Sequence, residues 1–199
     1  MMYEREITEL YKLCNVRSFP VDCFAIIKGI GFSVKSYGEI IRTKEHLLLL
    51  HSVSSDAFTY FDKKLIVYNE REYHRRIRFT LMHEVGHIVL NTDSEDEADA
   101  FASSILAPLP VVARYGFDCD TICKIFDVSV AMANRIISDH RGETITDDEG
   151  ILNYFDQCVE EDARKRYELR LKHHRRRAVP ITDQDELRLA KHDLDLFFY

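Results

Sequence analysis

Residues 76–90 read Arg-Ile-Arg-Phe-Thr-Leu-Met-His-Glu-Val-Gly-His-Ile-Val-Leu. The apolar residues of this stretch recur at helical spacing, which predicts a single helix. Because residues four apart lie on one face of a helix, His83 and His87 direct their imidazoles to one place. Gly86 is unfavourable inside a helix and indicates that another element packs closely there. A second helix is predicted over residues 95–106, after a short polar break.

Two convergent imidazoles suit Zn²⁺, which accepts nitrogen ligands at about 2.0–2.1 Å in a tetrahedral shell. Glu84 follows the first histidine, and its carboxylate is placed to act as the general base for an attacking water. The pattern His83-Glu84-x-x-His87 is therefore typical of a zinc peptidase. The alternative is a pair of ordinary surface histidines on an amphipathic helix. Apolar residues on both sides of the pattern favour the metal.

The third ligand is expected among the carboxylates Glu95, Glu97 and Asp99 of the second helix. At about 100° per residue, Glu95 lies roughly 50° from the centre of the apolar stripe of that helix, Asp99 roughly 90° and Glu97 roughly 110°. Glu95 is therefore the predicted ligand, and Glu97 is the alternative. Ser94 and Glu97 have the form of a capping box, which assigns Glu97 to the helix start. Asp99 is predicted to accept a hydrogen bond from a ligand histidine.

These segments together resemble the ImmA/IrrE family of metallopeptidases. The usual pattern of that family is Arg-Phe-Thr-x-x-His-Glu-x-Gly-His, then Glu-x-Glu-Ala-Asn-x-Phe-Ala, then Leu-x-x-Pro. The corresponding segments here are 76–88, 95–102 and 105–108. The resemblance covers about residues 18–140. One departure is Asp99, where the family more often has Asn; either side chain can accept a hydrogen bond.

The resemblance implies an α+β fold, namely a compact zincin-like metallopeptidase domain with a small sheet and a mostly helical remainder. It also implies a zinc-dependent endopeptidase that acts on a protein substrate. Family members often cleave a helix-turn-helix repressor of a prophage or mobile element, and such a repressor is the implied partner. The alternative is a non-catalytic antirepressor or toxin–antitoxin-like binding module that keeps the peptidase fold. The intact Glu84 disfavours that alternative, because a purely structural metal site needs no base.

Periodicity and breaks along the chain predict two regions, a metallopeptidase domain over residues 1–142 and a linker, charged helix and tail over 143–199. The predicted elements of the first region are helices over 3–14 and from Pro20, strands over 32–37, 46–53 and 58–68, the two helices above, a stop at Pro108 and Pro110, and a helix pair over 119–126 and 130–138. The charged helix is predicted over about 151–177.

The composition and charge of the chain indicate which kinds of partner and which cellular compartment to expect. The 199 residues are 46% hydrophobic and carry a formal net charge of −7. An acidic chain has no overall basic field, so we expect no direct binding to nucleic acid. The beginning of the sequence lacks the pattern of a signal peptide, and no apolar run is long enough for a membrane span, so a cytoplasmic protein is expected. Five scattered cysteines predict no disulfide framework, and Cys119 and Cys123 are not expected to form a second metal site.

Four further patterns have competing interpretations. The helix pair over 119–138 could read DNA, but its apolar composition favours a structural role. The basic run over 164–177 could contact nucleic acid or an acidic partner, and a solvated helix face is the alternative. Residues 65–68 are either an edge strand for an extended substrate or a central strand. The candidates for stabilising an oxyanion are Tyr73, His74, Arg75 and Tyr115.

Overall fold

The computed structural model describes residues 3–40, 54–140 and 150–175. In these ranges the elements are α1 (Glu4–Leu13), α2 (Cys23–Gly29), β1 (Ser33–Ser36), α3 (Tyr37–Ile40), β2 (Ala57–Tyr60), a 3₁₀ turn (Phe61–Lys63), β3 (Leu65–Tyr68), α4 (His74–Leu90), α5 (Glu95–Leu106), α6 (Leu109–Tyr115), α7 (Cys119–Ile125), α8 (Val130–His140) and α9 (Ile151–Arg175). The predicted α+β class is confirmed.

Helix α2 begins later than its sequence suggested. Pro20 was expected in its first turn, but the helix starts at Cys23. The reason is Asp22, whose carboxylate accepts a hydrogen bond from the Ala25 N–H at 3.0 Å and so caps the helix. Pro20 lies in the loop before this cap.

The sheet has the strand order β1-β3-β2, with β3 in the centre. Strand β3 runs parallel to β1 and antiparallel to β2. Ile66 and Val67 of β3 are fully buried. The predicted strand over 32–37 is confirmed as β1. The segment 58–68 forms two antiparallel strands, β2 and β3, joined by a 3₁₀ turn instead of one strand. The interpretation of residues 65–68 as an edge strand is wrong. The predicted strand over 46–53 lies outside the described residues.

Helices α4 and α5 approach each other closely at Gly86. A Cβ atom at this position would lie 3.1 Å from the Cα and 3.2 Å from the carbonyl oxygen of Ala98, and 3.3 Å from the Cβ of Phe101. Glycine therefore permits the two backbones to come together, as its unfavourable place in a helix suggested. The short connection between the helices turns at Asn91, whose φ of 49° is left-handed.

The segment after α5 contains a helix that the sequence analysis did not predict. Pro108 and Pro110 were expected only to end α5, but α6 begins immediately afterwards with Pro108 as its N-cap and Pro110 in its first turn. Proline is tolerated there because the first N–H groups of a helix have no partner within it. The predicted pair that follows is confirmed as α7 and α8, and the Ser129 hydroxyl caps α8 by accepting from the Met132 N–H at 3.2 Å.

The chain divides into two compact units, Met1–Leu152 and Asn153–Tyr199. The predicted charged helix is present as α9, of which the second unit holds all but the first two residues. Within α9, Arg164 pairs with Glu168 at 3.4 Å and Lys165 with Asp162 at 3.9 Å, all on exposed or half-buried side chains. Ion pairs of this kind are typical of a solvated helix face, which is one of the two interpretations given for the basic run. In the described parts of the chain, no helix combines the length and hydropathy needed to cross a bilayer.

The cysteines of the first unit are free thiols, at positions 14, 23, 119 and 123. These four thiols form no disulfide with one another. Burial raises the pKa of the Cys23 thiol to about 11, which keeps it protonated at neutral pH. Among the described residues, Cys119 and Cys123 belong to no cluster with the geometry of a metal site.

We expect Gly86→Ala to destabilise the fold. Alanine is favoured over glycine by about 1 kcal/mol inside a helix. Overpacking against a backbone costs about 1–3 kcal/mol, so the free energy of unfolding should fall by about 1 kcal/mol. Urea denaturation of the metal-free protein measures this change, and Ala131→Gly, at an exposed position of α8, gives the effect of a glycine without close packing. A gain in stability for Gly86→Ala would show that α4 and α5 are not closely packed.

Candidate metal centre

The structure brings His83, His87 and Glu95 together. The two histidine Nε2 atoms lie 3.0 Å apart. Glu95 places one carboxylate oxygen 3.1 Å from Nε2 of His83 and the other 3.7 Å from Nε2 of His87. Both histidine side chains are 15% exposed, whereas the Glu95 side chain is 79% exposed at the first residue of α5. The two candidate ligands on α4 are thus largely buried, and the α5 carboxylate lies on their solvent side.

Each histidine is oriented through its other ring nitrogen. Nδ1 of His83 lies 2.7 Å from a carboxylate oxygen of Asp99, which is the contact predicted for Asp99. Nδ1 of His87 lies 2.8 Å from the backbone carbonyl of Thr92. A carbonyl and a carboxylate can only accept, so both Nδ1 atoms donate a proton. In the neutral histidines the Nε2 lone pairs therefore face each other and Glu95.

This donor set fits a divalent cation. Two lone pairs and a carboxylate directed at one point repel one another unless positive charge lies between them. In a tetrahedral zinc shell with bonds of about 2.0–2.1 Å, neighbouring ligand atoms are ~3.3 Å apart. The observed separations of 3.0, 3.1 and 3.7 Å bracket that value. In the part of the chain that the structure describes, no other group of three such side chains has this arrangement.

Glu97, the alternative ligand, is engaged at the start of α5. The Ser94 hydroxyl accepts from the Glu97 N–H at 3.4 Å, which is one half of the predicted capping box. The other half differs, because the Glu97 carboxylate accepts from the Thr92 hydroxyl instead of the Ser94 N–H. The Ser94 N–H donates to that same hydroxyl oxygen at 3.1 Å. Glu97 thus stabilises the loop whose carbonyl orients His87.

Glu84 lies beside the candidate ligands and is 9% exposed. Its carboxylate accepts a hydrogen bond of 2.5 Å from the Thr59 hydroxyl on β2. Burial raises the pKa of Glu84 above its usual value, while the Thr59 hydroxyl and the two histidines oppose that shift. A carboxylate with a raised pKa is a stronger proton acceptor once ionised, which is what a general base requires.

A cleft of about 580 Å³ opens onto these residues. Its walls come from the 54–61 segment, α4 and the start of α5. None of the four oxyanion candidates lines it. Tyr73, His74 and Arg75 line a neighbouring pocket, because they precede the ligands on α4 by two to three turns. Tyr115 stacks on Phe117 instead, with the ring centroids 5.4 Å apart.

Two residues at this centre were not predicted from the sequence. Thr59 contacts Glu84 across 25 positions of sequence, so no local pattern identifies it. Thr92 orients His87 through its backbone carbonyl, a group that every residue has. The short polar break after α4, residues 91–93, is the one signal in the sequence that indicated a loop at this position.

Residues 41–115 match the family model of the peptidase M78 family, described as the IrrE N-terminal-like domain. Over this segment, the chain is similar to the IrrE N-terminal-like domain. The resemblance predicted from the motifs is thereby confirmed. The matched segment is shorter than the predicted 18–140, but it includes α4, α5 and all the side chains of the candidate centre. No curated protein matches the chain in sequence.

We expect Glu95→Ala to weaken zinc binding more than Glu97→Ala. Loss of a partner that merely orients a ligand costs roughly 10–100-fold in metal affinity. Glu97→Ala should stay within that range, and loss of the direct ligand Glu95 should exceed it. Competition with a chromophoric chelator measures both affinities. Asp96→Ala is the matched control, since it removes a charge from the same exposed helix turn. Equal effects of all three substitutions would contradict Glu95 as a ligand.

Proposed function

We propose that the IrrE-like domain is a zinc-dependent endopeptidase. The observation that carries the proposal is the position of Glu84, a buried carboxylate beside three convergent ligand atoms and at the wall of an open cleft. A structural metal site needs ligands alone, whereas this centre also holds a base. The peptidase M78 match over residues 41–115 supports the same class of reaction.

In the proposed reaction, Glu84 accepts a proton from water and later donates it to the leaving amine. It first accepts a proton from the attacking water while the water oxygen bonds to the peptide carbonyl carbon. It then gives that proton to the amide nitrogen as the carbon–nitrogen bond breaks, which yields an amine and a carboxylic acid that releases its remaining proton to solvent. The Thr59 hydroxyl donates to one oxygen of the carboxylate, which leaves the other oxygen to accept the proton.

His83, His87 and Glu95 would hold the zinc ion for this reaction, with Asp99 and Thr92 orienting the two imidazoles. Zinc, when bound, supplies Lewis acidity to the water and to the scissile carbonyl. Both histidine side chains are largely buried, which lowers the local dielectric constant and strengthens the electrostatic interactions at the centre.

The proposed substrate is another protein, and the family resemblance points to a helix-turn-helix repressor. Strand β2 borders the cleft, and among the described residues its side away from β3 has no paired strand. An extended substrate segment that pairs with β2 would pass over Glu84. The competing function is a binding module that acts on a repressor by contact without cutting it.

We expect Glu84→Gln to lower repressor cleavage by roughly 10²–10⁴-fold while bound zinc is unchanged, because the amide cannot accept the proton. The assay uses zinc-loaded full-length chain and a helix-turn-helix repressor encoded next to it. Electrophoresis follows cleavage, and metal analysis follows zinc. Glu9→Gln, an exposed carboxyl on α1, is the control. Full release of transcription by the Glu84→Gln protein would contradict the enzyme and support the binding module.

Thr59 provides a second test of the same centre. Thr59→Val removes the hydroxyl that favours the ionised Glu84, and a hydrogen bond to a charged group contributes about 1.5–3 kcal/mol. We expect kcat to fall by roughly tenfold or more with KM nearly unchanged. The pKa of Glu84 should rise further, so the acid limb of the kcat/KM profile should move to higher pH. Thr59→Ser should restore both, and an impaired Thr59→Ser protein would refute this role of the hydroxyl.

A further inference from the structure

A second pocket of about 660 Å³ lies next to the cleft. The two cavities share a wall made by Arg76 and Phe79 on α4. The opposite wall of the second pocket is the start of α8, from Ser129 to Met132 and Arg135. Neither the proposed proton transfer nor the candidate metal ligands use this pocket.

The pocket is apolar and accessible. Tyr73 and Val130, which face it, are 85% and 55% exposed, although large apolar side chains are usually buried. Phe79 and Met132 continue the apolar lining inward. An exposed apolar surface that forms a pocket beside a candidate active site is typical of a surface that binds an apolar group.

The charge at the rim of the pocket is positive. No carboxylate lines it, and four basic side chains do. Three of them have partners: His74 and Arg75 bind Asp127 at 2.8 and 3.1 Å, and Arg76 binds Asp56. Arg135 is exposed and, among the side chains that the structure describes, has no hydrogen-bond or ion-pair partner. One uncompensated cation therefore stands beside the apolar lining.

Helix geometry gives the distance from the pocket to the metal ligands. Phe79 precedes His83 by four residues and Tyr73 precedes it by ten. At 1.5 Å per residue these offsets correspond to roughly 6 and 15 Å along α4. An extended peptide advances ~3.3 Å per residue, so the pocket lies about two to four residues from the bond that Glu84 would attack.

We propose that this pocket is a substrate subsite for a bulky apolar side chain with a neighbouring carboxylate, about two to four residues from the scissile bond. The proposal rests on the proposed endopeptidase. The apolar side chain enters between Phe79 and Val130, and the carboxylate pairs with Arg135. The subsite thereby restricts cleavage to acidic, apolar segments of the protein substrate.

The test uses two series of alanine- and serine-based decapeptides with the zinc-loaded full-length chain. One series carries a Leu-Asp pair moved one position at a time, and the other carries Leu-Lys. Quenched-fluorescent peptides report kcat/KM and mass spectrometry reports the cut. Leu-Asp peptides should be cut two to four residues from the pair, with kcat/KM about fivefold above the Leu-Lys series, as one exposed ion pair predicts.

Substitutions in the pocket separate the two parts of the subsite. Arg135→Glu should reverse the preference to Leu-Lys, and Val130→Ser should reduce the advantage of Leu over Ala in the same peptides. Lys12→Glu makes the same charge change on exposed α1, which lines neither cavity, and should keep the Asp preference.

Binding distinguishes failure of the subsite from failure of the enzyme. Fluorescein-labelled peptides of both series are titrated with the Glu84→Gln protein and followed by anisotropy. Selective binding of Leu-Asp peptides that is lost in the double variant Arg135→Glu/Glu84→Gln supports the subsite, whether or not the wild-type chain cuts the peptides. A wild-type chain that cuts none of the peptides would overturn the proposed endopeptidase. Equal affinity for the two peptide series, together with equal kcat/KM wherever peptides are cut, overturns the subsite.

Discussion

The close contact between α4 and α5 at Gly86 is the constraint on which the candidate centre depends. His83 and His87 lie on α4, whereas Glu95 and Asp99 lie on α5, so their side chains meet only if the two backbones approach. A Cβ atom at Gly86 would come within 3.1 Å of the Ala98 backbone. Wider spacing would move the α5 carboxylates away from both imidazoles, because short carboxylate side chains cannot span a larger gap.

Hydrogen bonds then orient the side chains so that their candidate ligand atoms point to one place. Asp99 and the Thr92 carbonyl hold both Nδ1 atoms as donors, which leaves both Nε2 lone pairs directed at Glu95. The hydrogen bonds within the protein orient both imidazoles, and a cation between these groups would relieve their repulsion. On the other side, Thr59 ties Glu84 to the sheet. The fold thus brings Glu84 and the candidate ligands from different elements around one cleft.

The local parts of this arrangement could be predicted, and the long-range parts could not. Helical spacing placed His83 beside His87, and angular position on α5 favoured Glu95 over Glu97, because both follow from the geometry of single helices. Thr59 could not be predicted, because its contact with Glu84 joins two elements that are 25 positions apart in the sequence. Helix α6 was missed because Pro110 was taken as a helix stop, although a first turn tolerates proline. None of the four oxyanion candidates lines the cleft, because they were chosen by residue type without a position relative to the metal ligands.

X-ray absorption of the zinc-loaded full-length chain tests the central claim most directly, since it measures the atoms around the metal. The two-helix centre predicts only nitrogen and oxygen neighbours at about 2.0–2.1 Å, with the multiple-scattering signature of two imidazoles. His87→Ala should reduce that signature to one imidazole. Sulfur scattering at ~2.3 Å, or an unchanged spectrum in the variant, would contradict a metal centre formed by α4 and α5.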